Sequence, residues 1–486
     1  MAPGGDPGAT TSANPSHAVI IGASMAGLCA AAALAQQGLT VTVLERDRLS
    51  TEPGHRRGVP QDTQAHVLLY RGITVLEQLL PGFRAELLAA GAVAYDSGRM
   101  PWLGEYGWLD TDLDGYEVVS ATRPLMEAVT RRRVVALTGV RLRDGVTVTG
   151  LTPASPGWRV RIGNGTDGPE AAAETMSAAD TMADGDEVVA ADLVVDASGR
   201  SSRLDRWGVV AEPPAVEEVD ARVGYASRLY RAHRQLPVRT GVMILADAGS
   251  GTAGLALPVE HGRWLVAAAG FGERRPPRDT AGFVRFLSGL RDPALADLVA
   301  LLEPAGEVSI HRQTANRRRR WDRVADWPEG LLVVGDALCS LDPVYGQGIT
   351  VAAQQACALG EAVRRGRPVD RRLQRRLVDL TATPWAIATT GDRRQPTCTS
   401  EPGPAERVSA GWVARLSRLA ATGHPRATAA LLAVNNLMAP PSSLLHPALL
   451  LAGARPSPTA RLARPAVLDD LSRLRRQPPP ADPAAA

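Results

Sequence analysis

The chain has no lysine, so all 54 of its basic residues are arginine. Schiff-base catalysis, a lysine-bound cofactor and a Walker A phosphate loop are excluded, because each depends on a primary amine. Cysteine is nearly as scarce. Cys29, Cys339, Cys357 and Cys398 stand far apart, with no Cys-x-x-Cys, no redox pair at four-residue spacing and no zinc spacing. Disulfide reductase chemistry and a thiolate metal site therefore drop out, no metal is expected, and a reducing, cytoplasmic setting fits. Long apolar runs are missing too: none approaches the roughly 20 residues that a bilayer crossing needs. The formal charge of +3 is too small to point to a nucleic-acid or membrane partner. Residues 1–16 have neither a basic start nor an apolar centre and read as a disordered tail, not a signal peptide.

What the chain does have is a strand–turn–helix–strand unit from His17 to Arg46. Ala18-Val19-Ile20-Ile21 has the length and content of a buried parallel strand. Gly22-Ala23-Ser24-Met25-Ala26-Gly27 follows, a G-x-S-x-x-G variant of the dinucleotide fingerprint, opening an Ala- and Leu-rich helix that Gly38 closes. A second strand, Val41 to Leu44, ends on Glu45. Gly22 lets the backbone turn sharply, the small Ser24 lets it approach a pyrophosphate, and Gly27 lets helix and strand pack closely. The helix N-terminus presents bare N–H groups and a favourable dipole to the phosphates. Glu45, about 20 residues after the glycines, is placed for the ribose hydroxyls of an adenosine. The unit predicts a dinucleotide and leaves NAD and FAD both open.

At 486 residues, with 45% hydrophobic and 22% charged, the chain has room for two or three soluble domains. The loop Pro53 to Gln61, carrying Arg56 and Arg57 before Gly58-Val59-Pro60-Gln61, comes directly after the ribose-binding strand and so lies beside the nucleotide. Thr122 reads as a helix N-cap with Pro124 just inside. Val146–Val148 and Trp158–Ile162 read as an antiparallel pair, and 164–187 as a surface insertion without catalytic role. Ala191–Asp196 is a buried strand ending in an acid and a turn at Gly199. Alternating patterns from Arg222 to Gly272 predict an antiparallel sheet. Gly330–Val334 is another buried strand, ending in Gly335-Asp336. Asp342-Pro343-Val344-Tyr345-Gly346-Gln347-Gly348 then leads into a helix from about Thr350 to Arg364, a second anion or oxyanion site at a helix N-terminus.

Three strand-end signatures stand together: Gly22–Gly27 with Glu45, Asp196-Ala197-Ser198-Gly199-Arg200, and Gly335-Asp336-Ala337 with Asp342–Gly348. Jointly they resemble the class A flavoprotein monooxygenases, the para-hydroxybenzoate hydroxylase-like family, from about His17 to Arg364. HRRGVPQ at 55–61, VDASGRSSRLDRWG at 195–208, NRRRRWDRVADWPEGLLVVGDALCSLDPVYGQG at 316–348 and Thr383–Ala388 are similar to actinomycete polyether epoxidases of the lasalocid and monensin type. In one place the chain departs from that subgroup: Thr63-Gln64-Ala65-His66 stands where Arg-His-Ala-His is expected, which leaves the substrate open.

The resemblance implies an α/β fold: a Rossmann-like, three-layer ββα FAD-binding domain, an inserted antiparallel-sheet substrate domain and a helical C-terminal region. The FAD domain would comprise 17–95, 117–205 and 330–370; the substrate domain 96–116 and 206–329; the helical region 371–475; and a disordered tail 476–486. Gly22, Ser24, Met25, Ala26 and Gly27 would hold the pyrophosphate, Glu45 the ribose and Arg46 the adenine side. Arg123 would reach the phosphate or ribityl region, and Asp336, after Gly335, a ribityl hydroxyl, while Asp196 and Gly199 belong to the partly structural middle motif. Pro343, Gly346, Gln347 and Gly348 would line the isoalloxazine, with Arg57, Val59, Pro60 and Gln61 on its other side.

The implied reaction uses tightly but non-covalently bound FAD with NAD(P)H as transient reductant. Oxygen adds at C4a, and the hydroperoxide epoxidises or hydroxylates a polyketide-like small molecule. No side-chain acid or base is required, and no catalytic residue beyond the pocket near Pro343, Gly346 and Gly348 is singled out. The alternatives are a non-redox cyclase that retains FAD as a structural element, as in [4+2] decalin formation, and a reductase or dehydrogenase. A flavin-dependent halogenase, which needs a lysine, is excluded.

Overall fold

The computed structural model describes residues 15–164, 187–247, 249–456 and 460–477. The surface insertion expected at 164–187 falls almost entirely outside them, as do residues 1–14 and 478–486 of the expected tails.

The centre is a five-stranded parallel sheet in the order Leu331–Val333, Leu193–Asp196, His17–Ile21, Thr40–Glu45 and Val140–Asp144. Two of its inner strands hold continuous apolar runs, Leu193–Val195 and Ala18–Ile21, because both faces are covered. One face carries the helices Met25–Ala35, Arg123–Val135 and Gly348–Arg364. The first of these is buried along almost its whole length, which its Ala-rich sequence permits. At Gly360 an added Cβ would lie 3.1 Å from the Ala33 carbonyl oxygen, so this helix contact depends on a missing side chain. A second layer is the antiparallel sheet of Val146–Pro153, Trp158–Asn164 and Glu187–Ala191. The fold is mixed α/β, as the motifs imply.

A seven-stranded sheet stands apart from the parallel one. Val223–Arg231, Thr252–Val259 and Arg263–Phe271 form its antiparallel centre, and Trp102–Leu103 joins its edge through Val242–Ile244. One face packs Ala226, Tyr230, Ala256 and Val266 against Phe283, Leu287 and Leu298 from two short helices. The last helix, Ala466–Arg476, inserts Leu468 and Leu471 into this same core. The other face turns toward the Rossmann-like part: Leu229, Met243, Leu255 and Leu265 meet Ala65, Val67, Tyr95 and Val118. Helices Pro404–Ala420, Pro425–Asn435 and Pro447–Ala454 build a small core of their own around Leu416, Leu419 and Val434.

Thr122 precedes the helix Arg123–Val135 but does not cap it with its side chain. Its N–H and hydroxyl go instead to buried Glu260, at 3.0 and 2.6 Å. A buried carboxylate needs charge-assisted donors more than a helix end needs one acceptor. The result ties the sheet domain to the helix that carries Arg123.

Candidate functional site

Ile21, Glu45, Asp196 and Val333 all end their strands at the carboxyl edge of the parallel sheet. Open parallel sheets bind ligands at this edge. Gly22 has φ +102°, and a Cβ there would sit 2.6 Å from the Ala197 carbonyl oxygen. At Gly27 a Cβ would lie 1.9 Å from the Gly22 carbonyl oxygen. No side chain fits at either position, so the turn and the N-terminus of helix Met25–Ala35 are fixed by glycine alone. Met25 is buried beneath the turn and Ala26 packs at its side, where Gly335 comes so close that a Cβ would be 2.6 Å away.

Behind the turn lies a buried charge cluster. Ser24 donates to Glu127 Oε1 at 2.5 Å and accepts from Arg123 Nη2 at 2.9 Å. Ser24 is therefore more than a small residue tolerated in the fingerprint: its hydroxyl joins the turn to the helix Arg123–Val135. Glu127, 2% exposed, also takes Arg123 Nε at 2.8 Å and Arg56 Nη1 at 2.7 Å. Arg56 continues to Glu45 Oε2 at 2.6 Å and stands 3.4 Å from Asp47 Oδ2. Burial would raise the Glu127 carboxyl, but Arg123, Arg56 and the Ser24 hydroxyl together hold it below its ordinary value. Glu45 and Glu127 likewise outweigh burial at Arg56 and keep its guanidinium charged.

Glu45 ends its strand where the ribose reading requires, with Oε2 accepting the Ala23 N–H at 2.8 Å and Oε1 the Asp47 N–H at 3.0 Å. Arg46 next to it is exposed. Arg57 is exposed as well, whereas its neighbour Arg56 points inward. Of the arginine pair it is thus Arg56 that joins the fingerprint, and two adjacent arginines in a loop gave no signal of which one would. Glu127 and Asp47 were also missed. The one trace of Glu127 in the sequence was its spacing four residues after Arg123, where helical side chains meet. Val59 is buried, Gln61 half-buried and Pro60 exposed on the same loop.

Asp196 serves its own turn. Its Oδ1 accepts the Ser198 N–H and hydroxyl, at 2.9 and 2.5 Å, and its Oδ2 the Ser202 hydroxyl at 2.5 Å. Asp336 differs: no protein donor reaches its carboxylate among the described residues, and burial pushes its pKa up despite Arg123 and Arg200 nearby. Its neighbour Gly335 (φ +58°) sends its N–H to Gln355 Oε1 at 2.8 Å, which locks the turn that presents Asp336. At the start of helix Gly348–Arg364, Gln347 Oε1 and Thr350 Oγ1 are buried without hydrogen-bond partners among the described residues. Gly346 is left-handed at φ +65°, and a Cβ added there would lie 3.5 Å from the Val67 side chain, so Pro343–Gly348 faces the strand after His66. Burial, with Arg123 acting the same way, pushes His66 down to about 3, and its Nδ1 bonds the Gln64 carbonyl at 2.9 Å. Gln64 itself takes the Ser227 hydroxyl of the seven-stranded sheet at 2.8 Å. The departure noted at Gln64 and His66 thus falls between the two sheets.

Comparison with known proteins agrees with this geometry. A family model described as an NAD(P)-binding Rossmann-like domain matches residues 20–69. The protein Rv3254 of Mycobacterium tuberculosis is 32% identical over 415 residues, covering 80% of this chain and 82% of the relative. The chain belongs to the Rv3254 family. Among solved structures, a flavoprotein/dehydrogenase of Cytophaga hutchinsonii superposes with a TM-score of 0.60 at 14% identity, over 86% of this chain and 92% of the other. The anhydrotetracycline hydroxylase OxyS of Streptomyces rimosus gives 0.53 at 19% identity, over 87% and 75%. At those identities the likeness is one of fold alone.

Proposed function

We propose that this member of the Rv3254 family is an FAD-dependent monooxygenase that uses NAD(P)H and O2 to epoxidise or hydroxylate a polyketide-like small molecule. The observation that carries the reading is the set of unsatisfied groups along one edge of the sheet. The turn has no room for a side chain at Gly22 or Gly27, and it opens the N-terminus of helix Met25–Ala35, which suits a pyrophosphate. The carboxylate of Asp336 has no protein partner among the described residues, which suits a ribityl hydroxyl. The Gln347 oxygen, without a partner among the described residues, belongs to the loop that would line an isoalloxazine. Gly22, Ser24, Gly27 and Glu45 would hold the adenosine diphosphate, and Asp336 with Pro343–Gly348 the flavin end. Arg56, not Arg57, supplies the positive charge beside the nucleotide.

The chemistry that FAD supplies when bound is acceptance of two electrons from NAD(P)H and activation of O2 for transfer of one oxygen atom. The protein's share is position and dryness. Leu229, Met243, Leu255 and Leu265 form an apolar wall facing the Rossmann-like part, and the small Ala253, Ala267 and Ala269 share that face of the sheet. His66, between Ala65 and Val67 and neutral at physiological pH, offers an acceptor beside this wall without adding charge to it.

The test is the purified chain with NADPH, under nitrogen and then in air with a polyene or aromatic polyketide. Bleaching of a bound yellow chromophore under nitrogen and a product heavier by one oxygen are expected. Turnover without NADPH and without mass change would replace the reading with a non-redox cyclase. Anaerobic bleaching with no oxygenated product from any such substrate would leave a reductase.

A further inference from the structure

Asp342 and Asp392 are 1% and 2% exposed, and neither has a basic partner among the described residues. They come from distant parts of the chain. Asp342 opens the loop to Gly348, and Asp392 ends the helix Ala382–Asp392 of the C-terminal region. Asn316 lies between them: its Oδ1 accepts the Asp342 N–H at 2.8 Å, and its Nδ2 donates to Asp392 Oδ2 at 2.6 Å. Each carboxyl is also met by a tyrosine. Tyr225, on the face of the seven-stranded sheet that turns to the Rossmann-like part, donates to Asp342 Oδ1, which takes the Val344 N–H as well at 3.1 Å. Tyr345 of the loop donates to Asp392 Oδ1 at 3.0 Å. Asp342 Oδ2 is buried and has no partner among the described residues.

The charged and titratable groups around the pair do not neutralise it. Asp220, before the Tyr225 strand, adds a third acid. His311 stands directly across from Tyr225, and burial keeps it neutral. On the helix side Arg393 is committed to Glu406, and Arg394 to Glu105. On the strand of Asn316, Arg317 and Arg318 face Glu218 and Glu217. Two buried carboxylates without a cation are costly, and neighbours of like charge cannot both ionise cheaply.

We propose that Asp342 and Asp392 together hold one proton at neutral pH, on Asp342 Oδ2, and that this acid–carboxylate pair fixes the loop 342–348 between the sheet and the C-terminal helix, with Asp342 as the loop's positioning residue. Oδ1 of Asp342 already accepts two donors, so Oδ2 is the oxygen left to carry hydrogen. Burial, reinforced at Asp392 by the nearby Asp342, holds both well above the ordinary carboxylate range. The loop's effect on a flavin rests on the proposed function; the shared proton does not.

The experiment is infrared difference spectroscopy of the full chain, as purified with its chromophore, in H2O and D2O across neutral pH. The wild type is expected to show a protonated carboxylic-acid carbonyl band that moves in D2O and vanishes in both Asp342→Asn and Asp392→Asn. No such band, or one that only halves in each variant, overturns the shared proton. Should Asp342→Asn fail to fold, Tyr225→Phe keeps both carboxyls and is expected to shift the band; an unmoved band overturns the assignment to Asp342. In the wild type the visible flavin band is expected to shift over the pH range in which the infrared band titrates, and in Asp342→Asn to be indifferent to pH. A flavin band equally indifferent in both removes the positioning role. A protein without flavin would refute the proposed function and leave the infrared result standing.

Discussion

Replacing Glu127 with alanine tests whether the charge cluster behind the fingerprint turn acts as a unit. Glu127 is bonded to Ser24, Arg123 and Arg56 at 2.5, 2.8 and 2.7 Å. Without it the buried Arg123 guanidinium loses its carboxylate, while Arg56 keeps Glu45 and the more distant Asp47. Breaking a buried ion pair on one side costs about 3–5 kcal/mol, since the remaining charge stays desolvated. Denaturant unfolding of the flavin-free chain is expected to show a loss of that size for Glu127→Ala. Glu127→Gln, which keeps an acceptor and the packing, is expected to lose less.

The effect has a pH signature. The folded-state carboxyl of Glu127 titrates below its ordinary value, so its stabilisation is present above the ordinary value and is lost as pH falls through the folded one. The difference between wild type and Glu127→Gln is therefore expected to be constant near neutrality and to close in acid. A loss under about 1 kcal/mol, the range of exposed pairs, would refute the claim that Glu127 neutralises both arginines.

Two further outcomes separate neighbouring residues that the sequence alone does not distinguish. Arg56→Ala leaves Glu45 and Glu127 without their shared cation and is expected to cost about 3–5 kcal/mol and to release flavin on gel filtration, whereas exposed Arg57→Ala is expected to stay within about 0.5 kcal/mol. Asp336→Asn is expected to weaken FAD binding about tenfold, the effect of losing a bond to a charged group, measured by fluorescence titration. The same change should not lower the stability of the flavin-free chain, because no protein donor is lost; a destabilised chain would show that the carboxylate has an internal partner.

By itself the sequence determined the elements that depend on neighbours along the chain. The strand from His17 to Ile21, the turn at Gly22 and Gly27, the helix behind it and Glu45 at the end of the next strand are all local, fixed by apolar run length and by backbone freedom that only glycine supplies. The same holds for Asp336 and the helix after Gly348, which follow a buried strand by a fixed number of residues. Tertiary structure decided which side chains meet across the fold. Arg56 and Arg57 are chemically identical neighbours, and the carboxylates of Glu45 and of Glu127, the latter brought by the helix Arg123–Val135, turn one of them inward. Thr122 has the chemistry of a cap and is diverted by Glu260, 138 residues away, because that carboxylate is buried. Asp342, Asn316 and Asp392 have no pattern linking them in sequence. They meet because the loop, the strand and the C-terminal helix pack on one spot, and burial there gives two ordinary acids an unusual proton affinity.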